Sequence, residues 1–233
     1  ALSGFPWLEF GFSQIDAPLA GLAPIGGVHA VTLAVALSAG GLAVAWRARR
    51  ACRVLAVAAL AALWLGAACA GRPQWTAPAG PPLRAVIVQG NVEQSLKWEE
   101  AARQRTLAHY LALTDPHWGV DLVIWPETAI PAFQVQVGDF LAELARLATA
   151  SGTDVLAGIP VLDVATRRYY NAVMALGATP GDYRKRHLVP FGEYLPFAGR
   201  LGALLDFLRI PMSSFSAGEA DQPLVRAAGH PVG

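Results

Sequence analysis

Leu122-Val123-Ile124-Trp125-Pro126-Glu127-Thr128 is an apolar, partly β-branched run halted by proline, with a carboxylate immediately behind the halt. Four such residues in a row read as a strand buried on both faces, and proline ends the ladder. Open α/β sheets present reactive groups at the carboxyl ends of strands like this one. Taken alone, Glu127 reads equally well as a helix-capping or solvated glutamate. A second stretch tips that balance: Tyr183-Arg184-Lys185-Arg186-His187-Leu188-Val189-Pro190-Phe191-Gly192-Glu193-Tyr194. Strand alternation sends Lys185 to one face and Arg184 with Arg186 to the other, where they stay solvated or meet lipid phosphates. The competing reading is an ordinary basic edge strand. Glu193, in a Pro- and Gly-containing turn, is either a second carboxylate of the same site or the salt-bridge partner of an arginine. A base and a cation together suit acyl transfer, which must activate a nucleophile and stabilise an oxyanion.

Around these two stretches, Ala85 to Val88 reads as another strand buried on both faces, and Asp154 to Ile159 and Tyr170 to Leu176 as further strands. Glu99 to Leu113 and Val137 to Ala150 read as helices, the second placing Phe140, Leu144 and Leu147 on one stripe. The pattern is α/β, without an internal repeat.

Upstream the composition changes. Val28 to Trp46 carries no charged side chain over 19 residues, and Val54 to Ala70 none over 17. As helices these are roughly 28 and 25 Å long, enough to cross a hydrocarbon core with slight snorkelling or thinning. The alternative is a pair of buried helices in a large soluble core, but neither stretch has a polar stripe. Between them Arg47, Arg49, Arg50 and Arg53 crowd one short connection, which the positive-inside rule assigns to the cytoplasm. Residues 1–27 and everything after Gly71 are then expected on the opposite, extracytoplasmic side. Residues 1–27, with Phe5, Trp7, Phe10 and Phe12 among glycines and prolines, read as an aromatic loop at the membrane surface. Residues 71–82, with four prolines and two glycines, read as a stiff linker, and residues 83–233 as the globular part.

A hydrophobic content of 54% is too high for a uniformly soluble protein, and the excess sits in those two stretches. The net charge of +1 implies no nucleic-acid partner. Five histidines (His29, His109, His117, His187, His230) show no metal-ligand spacing, so neither metal nor cofactor is expected. Cys52 and Cys69, near opposite ends of the hairpin, are not expected to pair. The chain opens at Ala1 without a signal-peptide pattern and stops at Gly233, and an internal piece of a longer protein is expected.

At these residues the chain resembles the nitrilase (carbon-nitrogen hydrolase) superfamily and, within it, the apolipoprotein N-acyltransferase family of bacterial membrane enzymes. The likeness covers nearly the whole chain: Gly4-Phe5-Pro6-Trp7, Phe12-Ser13-Gln14, Pro18 to Pro24, Val88-Gln89-Gly90-Asn91, Gln94-Ser95-Leu96-Lys97-Trp98, Trp125-Pro126-Glu127, His187 to Tyr194 and Pro211 to Ser216. It implies a partial αββα nitrilase-like sandwich preceded by a transmembrane helical hairpin, and a Glu-Lys-Cys triad. Glu127 is then the general base, Lys185 the cation that stabilises the oxyanion, and Glu193 a further acidic position that orients Lys185 or the amine. Trp98 matches a loop tryptophan at the lipid-binding mouth, although packing beneath a loop explains it as well.

The resemblance further implies a phospholipid acyl donor, a diacylated apolipoprotein acceptor, a bacterial inner-membrane location with a periplasmic catalytic domain, and a monomer. The family's nucleophilic cysteine falls beyond the region of Leu224 to Gly233, so the 233-residue chain is expected to be inactive. Leu201, Leu204, Leu205 and Leu208 share one helical face, read either as a core-facing helix or as an arm dipping into the bilayer. Two other functions stay open: a membrane-anchored nitrilase-type amidase with water as acceptor, and a non-catalytic lipid- or lipoprotein-binding pseudoenzyme.

Overall fold

A computed structural model describes residues 9–93, 97–190, 192–194 and 215–232, which fall into two units, Pro6–Gly80 and Pro81–Gly233. The expected Leu201 to Leu208 helix, the Gly4 to Trp7 and Pro211 to Ser214 motifs, and Gln94 to Leu96 lie outside the described residues.

The first unit is a helical hairpin. Helix α1 (Ala23–Arg47) and helix α2 (Arg50–Ala70) are joined through Ala48 and Arg49, with the arginines at the turn as the sequence places them. Both are long and apolar enough to cross a membrane, and only 11% and 6% of their apolar stretches are buried. A soluble core helix would be covered; these are bare. Helix α1 is broken at Gly26 and Gly27, the latter at φ 64, so its regular part begins at Val28. Only glycine enters that left-handed region without strain.

The segment before α1 is more ordered than an aromatic loop. It forms short 3-10 helices at Phe10–Gln14 and Pro18–Leu22, with Leu19 buried against Val31, Ala34 and Ala67. Phe10 and Phe12 do remain exposed. Cys52 and Cys69 are both free.

The second unit is built on a mixed five-stranded sheet in the order β1 (Ala85–Ile87), β2 (Leu122–Ile124), β3 (Asp154–Asp163), β4 (Arg168–Leu176), β5 (Gly181–Arg184). The first three strands are parallel and the last two turn back antiparallel. Helix α3 (Glu100–Thr114) returns the chain from β1 towards β2, and α4 (Gly138–Ser151) from β2 towards β3. A left-handed Gly152 at φ 68 closes α4, its N–H donating to the Thr149 carbonyl.

Helices α3 and α4 cover one face of the sheet. Leu107, Tyr110, Leu141, Leu144 and Ala148 pack there on Val123, Trp125, Val155, Ala157, Ile159 and Ala172. The buried residues of α4 are Leu141, Leu144 and Ala148; of the expected stripe, Leu144 is buried, Phe140 packs half-buried on the core beside Trp125, and Leu147 is only partly covered.

Among the described residues the opposite face is covered only in part, by the hairpin of β6 (Val225–Ala227) and β7 (His230–Val232) packed on Leu122, Leu156 and Ala175. Asp154 ties that hairpin to the sheet, accepting the Ala228 N–H at 2.7 Å. The expectation that Ala85 to Val88 is buried on both faces fails for this reason. Strand β1 is an edge strand beyond the hairpin's reach, and Ile87 is 78% exposed while Val88 is buried.

Candidate active site

Glu127 owes its place to Trp125. The Trp125 N–H donates to the Leu156 carbonyl at 2.8 Å, carrying the β2–β3 ladder one residue past Ile124. Its buried indole packs on Tyr110 and donates from Nε1 to Thr114 Oγ1 at 2.9 Å. Pro126 cannot extend the ladder. The chain instead turns, with the Ala129 N–H on the Pro126 carbonyl and the Ile130 N–H on the Gly158 carbonyl, both at 3.1 Å. This turn lies directly on Gly158 of β3: a Cβ there would stand 2.6 Å from Thr128 N and 2.7 Å from Glu127 Cα. A glycine is required because the turn occupies the space of a side chain.

Lys185 follows β5. Its N–H donates to the Asn171 carbonyl at 2.7 Å, and its carbonyl accepts the Gly218 N–H at 2.9 Å. The strand itself ends at Arg184. The alternation between Arg184 and Lys185 holds, but Arg184 is only partly solvated and its guanidinium is engaged within the protein. Its guanidinium meets Asp163 at 3.6 Å and Asp182 at 3.4 Å, and lies over the Tyr170 ring. One carboxylate of its own strand and one at the end of β3 have claimed it.

Glu193 sits in the turn after β5, its N–H on the Val189 carbonyl and its Oε2 accepting the Val189 N–H at 2.8 Å. Its ionic partner is a lysine, not an arginine. Lys185 Nζ stands 3.1 Å from Glu127 Oε1 and 3.0 Å from Glu193 Oε2.

Three of the residues singled out in the sequence thus meet at one ammonium. Burial disfavours the charged form of Lys185, but hydrogen bonds to Glu193 and Glu127 outweigh it and raise its pKa above the usual lysine value. Burial likewise pushes the Glu193 carboxyl up, and the Asn171 amide, the Val189 N–H and Lys185 together bring it below the usual carboxylate range. An ammonium held charged beside an open carboxylate can stabilise a developing oxyanion while the carboxylate accepts a proton.

Glu127 is the open member of the group, with 61% of its side chain exposed against 12% for Glu193. A cavity of about 310 Å³ opens beside it, lined by Glu127, Asn171, Ala172, Val173, Tyr183 and Lys185. A larger one of about 750 Å³ between α3 and the start of α4 holds none of these groups.

Trp98 is not part of this cluster. It lies just ahead of α3, 43% exposed, with no hydrogen bond or ring contact among the described residues. Its neighbour Lys97 does reach the site: Nζ lies 3.4 Å from the Glu127 carbonyl, and burial lowers its pKa against the pull of the Glu127 charge.

Sequence reasoning missed Lys97, Gly158 and Asn171. The available signal for Asn171 was a polar, strand-averse residue inside an otherwise apolar strand. Asn171 Nδ2 donates to Glu127 Oε1 and, at 2.7 Å, to Glu193 Oε1. Among the described residues no group of three or more His, Cys, Asp or Glu is arranged to hold a metal ion.

The family model described as Carbon-nitrogen hydrolase matches residues 84–219, and that described as Apolipoprotein N-acyltransferase N-terminal domain matches residues 1–41. An apolipoprotein N-acyltransferase of Methylococcus capsulatus is 47% identical over 231 residues, covering 99% of this chain and 46% of the relative. One of Pseudomonas putida is 44% identical over 236 residues, again covering 99% and 46%. The chain thus spans about half the length of the curated relatives it matches. A solved CN-hydrolase superfamily protein from Xanthomonas campestris is 23% identical, with a TM-score of 0.41 over 63% of this chain and 50% of that one.

Proposed function

From the chain's membership of the carbon-nitrogen hydrolase family, we propose that the whole protein is an apolipoprotein N-acyltransferase, moving an acyl chain from a phospholipid to the N-terminal amine of a diacylglyceryl-cysteine lipoprotein. The observation that carries this reading is the convergence of Glu127 and Glu193 on a charged Lys185 at the side of a cavity that Glu127 and Lys185 line, in a chain that also holds two bare apolar helices. The nucleophile of the proposal is a cysteine thiol in the part of the protein outside these 233 residues. Cys52 and Cys69 belong to α2 of the other unit.

In the first half-reaction Glu127 takes the thiol proton and the thiolate attacks the acyl ester carbon. Lys185 stabilises the tetrahedral oxyanion. Collapse breaks the ester C–O bond, and the lysophospholipid leaves as an alcohol with the proton held by Glu127. In the second half-reaction the lipoprotein amine attacks the thioester, Glu127 accepts the amine proton, and the thiolate is expelled as the amide forms. The kinetics are then ping-pong. Glu193 holds Lys185 in place, and Trp98 meets the incoming lipid.

The arginines at the turn joining α1 and α2 support a cytoplasmic turn, and the proposal takes the catalytic unit as periplasmic in a multi-pass inner-membrane protein that acts as a monomer. Incubating the full-length protein with phospholipid and a diacylated lipopeptide tests the reading. The expected result is a trapped acyl-enzyme and an N-acylated lipopeptide. A reaction proceeding only through a ternary complex, with no covalent acyl-enzyme, overturns the mechanism. Ammonia release without lipopeptide acylation favours an amidase, and binding without turnover favours a pseudoenzyme.

A further inference from the structure

Asn171 has no part in the mechanism above, yet it is the most constrained polar side chain near the site. It lies on β4, paired with Pro160 of β3 on one side and holding the Lys185 N–H through its carbonyl on the other. The residue is 6% exposed.

Its single amide nitrogen spends both N–H bonds on carboxylates, Glu127 Oε1 and Glu193 Oε1. Lys185 Nζ reaches the same two oxygens, each at 3.1 Å. The two Oε1 atoms therefore bridge one neutral donor and one cation. The remaining oxygens differ. Glu193 Oε2 accepts the Val189 N–H at 2.8 Å and meets Lys185 at 3.0 Å, whereas Glu127 Oε2 has no partner among the described residues.

We infer that Asn171 is a positioning residue that turns Glu127 so that Oε2, not Oε1, is the atom that accepts the proton in catalysis. The side-chain type fits the task. Two carboxylates beside one ammonium already leave a net negative charge, so a third carboxylate would add repulsion. A second full cation at Oε1 would hold Glu127 ionised too firmly for a base. A neutral amide supplies two directed donors and changes no charge. The charged groups that face Glu127 are Lys185, Glu193 and, from the segment before α3, Lys97.

The inference rests on the acyl-transfer reading, which gives Glu127 a proton to accept; the infrared test of the Asn171 contact does not depend on it. In the whole protein purified in detergent, acyl-enzyme formation from a fluorescent phospholipid is followed against pH for wild type, Asn171→Ala, Asn171→Asp and Asn171→Ser. Asn171→Ala is expected to lower kcat about 10- to 100-fold with KM within about twofold. Its acid limb moves to higher pH, because a carboxylate that loses a donor to its charged form protonates more easily. Asn171→Asp moves that limb further, and Asn171→Ser, with one hydroxyl donor, lies between wild type and Ala.

An infrared titration of the carboxylate band that vanishes in Glu127→Gln reports the same shift without turnover. If Asn171→Ala melts far below wild type, Asn171→Ser and the infrared midpoint decide. An unmoved acid limb and an unmoved infrared midpoint in a folded variant overturn the inference. A wild type that forms no acyl-enzyme sinks the acyl-transfer reading instead, and the infrared midpoints still judge Asn171.

Discussion

Lys185 must answer to two carboxylates at once, and the consequences are measurable. Replacing it with Met or Gln removes the only ammonium within 3.1 Å of both Glu127 and Glu193 among the described residues. By analogy with loss of one oxyanion donor, acyl-enzyme formation should fall at least about 10²- to 10³-fold. A variant within tenfold of wild type would contradict the assigned role. The ion pair also couples stability to pH. Glu193 titrates below the usual carboxylate range in the folded chain, so its contribution is complete above that range and fades as pH falls through the lowered value. Lys185 titrates above its usual value, so its contribution is complete below the lysine range and fades as pH rises through the raised one. Glu193→Gln is therefore expected to melt below wild type at neutral pH, with the gap closing on acidification. A gap that stays constant down to strongly acidic pH would rule the coupling out.

Among the elements, the turn from Pro126 to Ala129 depends on β3 lacking a side chain beneath it. Gly158→Ala would drive a Cβ into Pro126 O, Thr128 N and Glu127 Cα, all main-chain atoms with no flexible end to yield. Overpacking of this kind costs about 1–3 kcal/mol, and here the displaced segment carries Glu127, the proposed base. The expectation is a folded protein with a lower melting temperature and activity reduced more than about tenfold. Wild-type activity in that variant would show that the turn does not need this seat.

The strands that bear the site were readable from their apolar centres, and strand alternation separated Lys185 from Arg184. Strand β3 nevertheless runs past the expected Ile159 to Asp163, and β4 begins at Arg168 ahead of Tyr170, because their shared hairpin continues through polar residues. Asn171, Gly158 and Lys97 were not readable. Asn171 lies 44 residues from Glu127 in sequence, and only the register of β4 against β3 and β5 brings it there. Arg184 was misread for the same reason, since its partner Asp163 arrives from another strand.

At the scale of the molecule, the uneven cover on the sheet and the bare hairpin each lead to a prediction. The sheet face that holds the cavity leaves Ile87 78% and Val173 37% exposed, with β1 and β5 as edges of the described sheet. Exposed apolar edges recruit other chains. Residues 81–233 expressed alone should self-associate with rising concentration, and Ile87→Lys should reduce this. A monodisperse fragment with cooperative unfolding would contradict it. The hairpin predicts sidedness: in intact spheroplasts an impermeant maleimide should leave Cys52 unlabelled and label a cysteine placed at Trp75. Labelling of Cys52 from outside would invert the proposed topology.

The sequence by itself determined the local properties of this chain. Two uncharged stretches set the helices apart because hydropathy is a sum over neighbours, and apolar runs closed by proline or turn residues set the strands because period and punctuation are local. It also nominated Glu127, Lys185 and Glu193, each by its position at a strand end or in a turn. Only the tertiary structure decided that these three share one ammonium and that a buried Asn171 bridges two of them. It also decided that a glycine seats the turn of Glu127 and that, among the described residues, one sheet face stays half bare. Those outcomes depend on which strand lies beside which, and hydrogen bonds between residues 22, 44 and 58 positions apart are set by strand register, which no local pattern encodes.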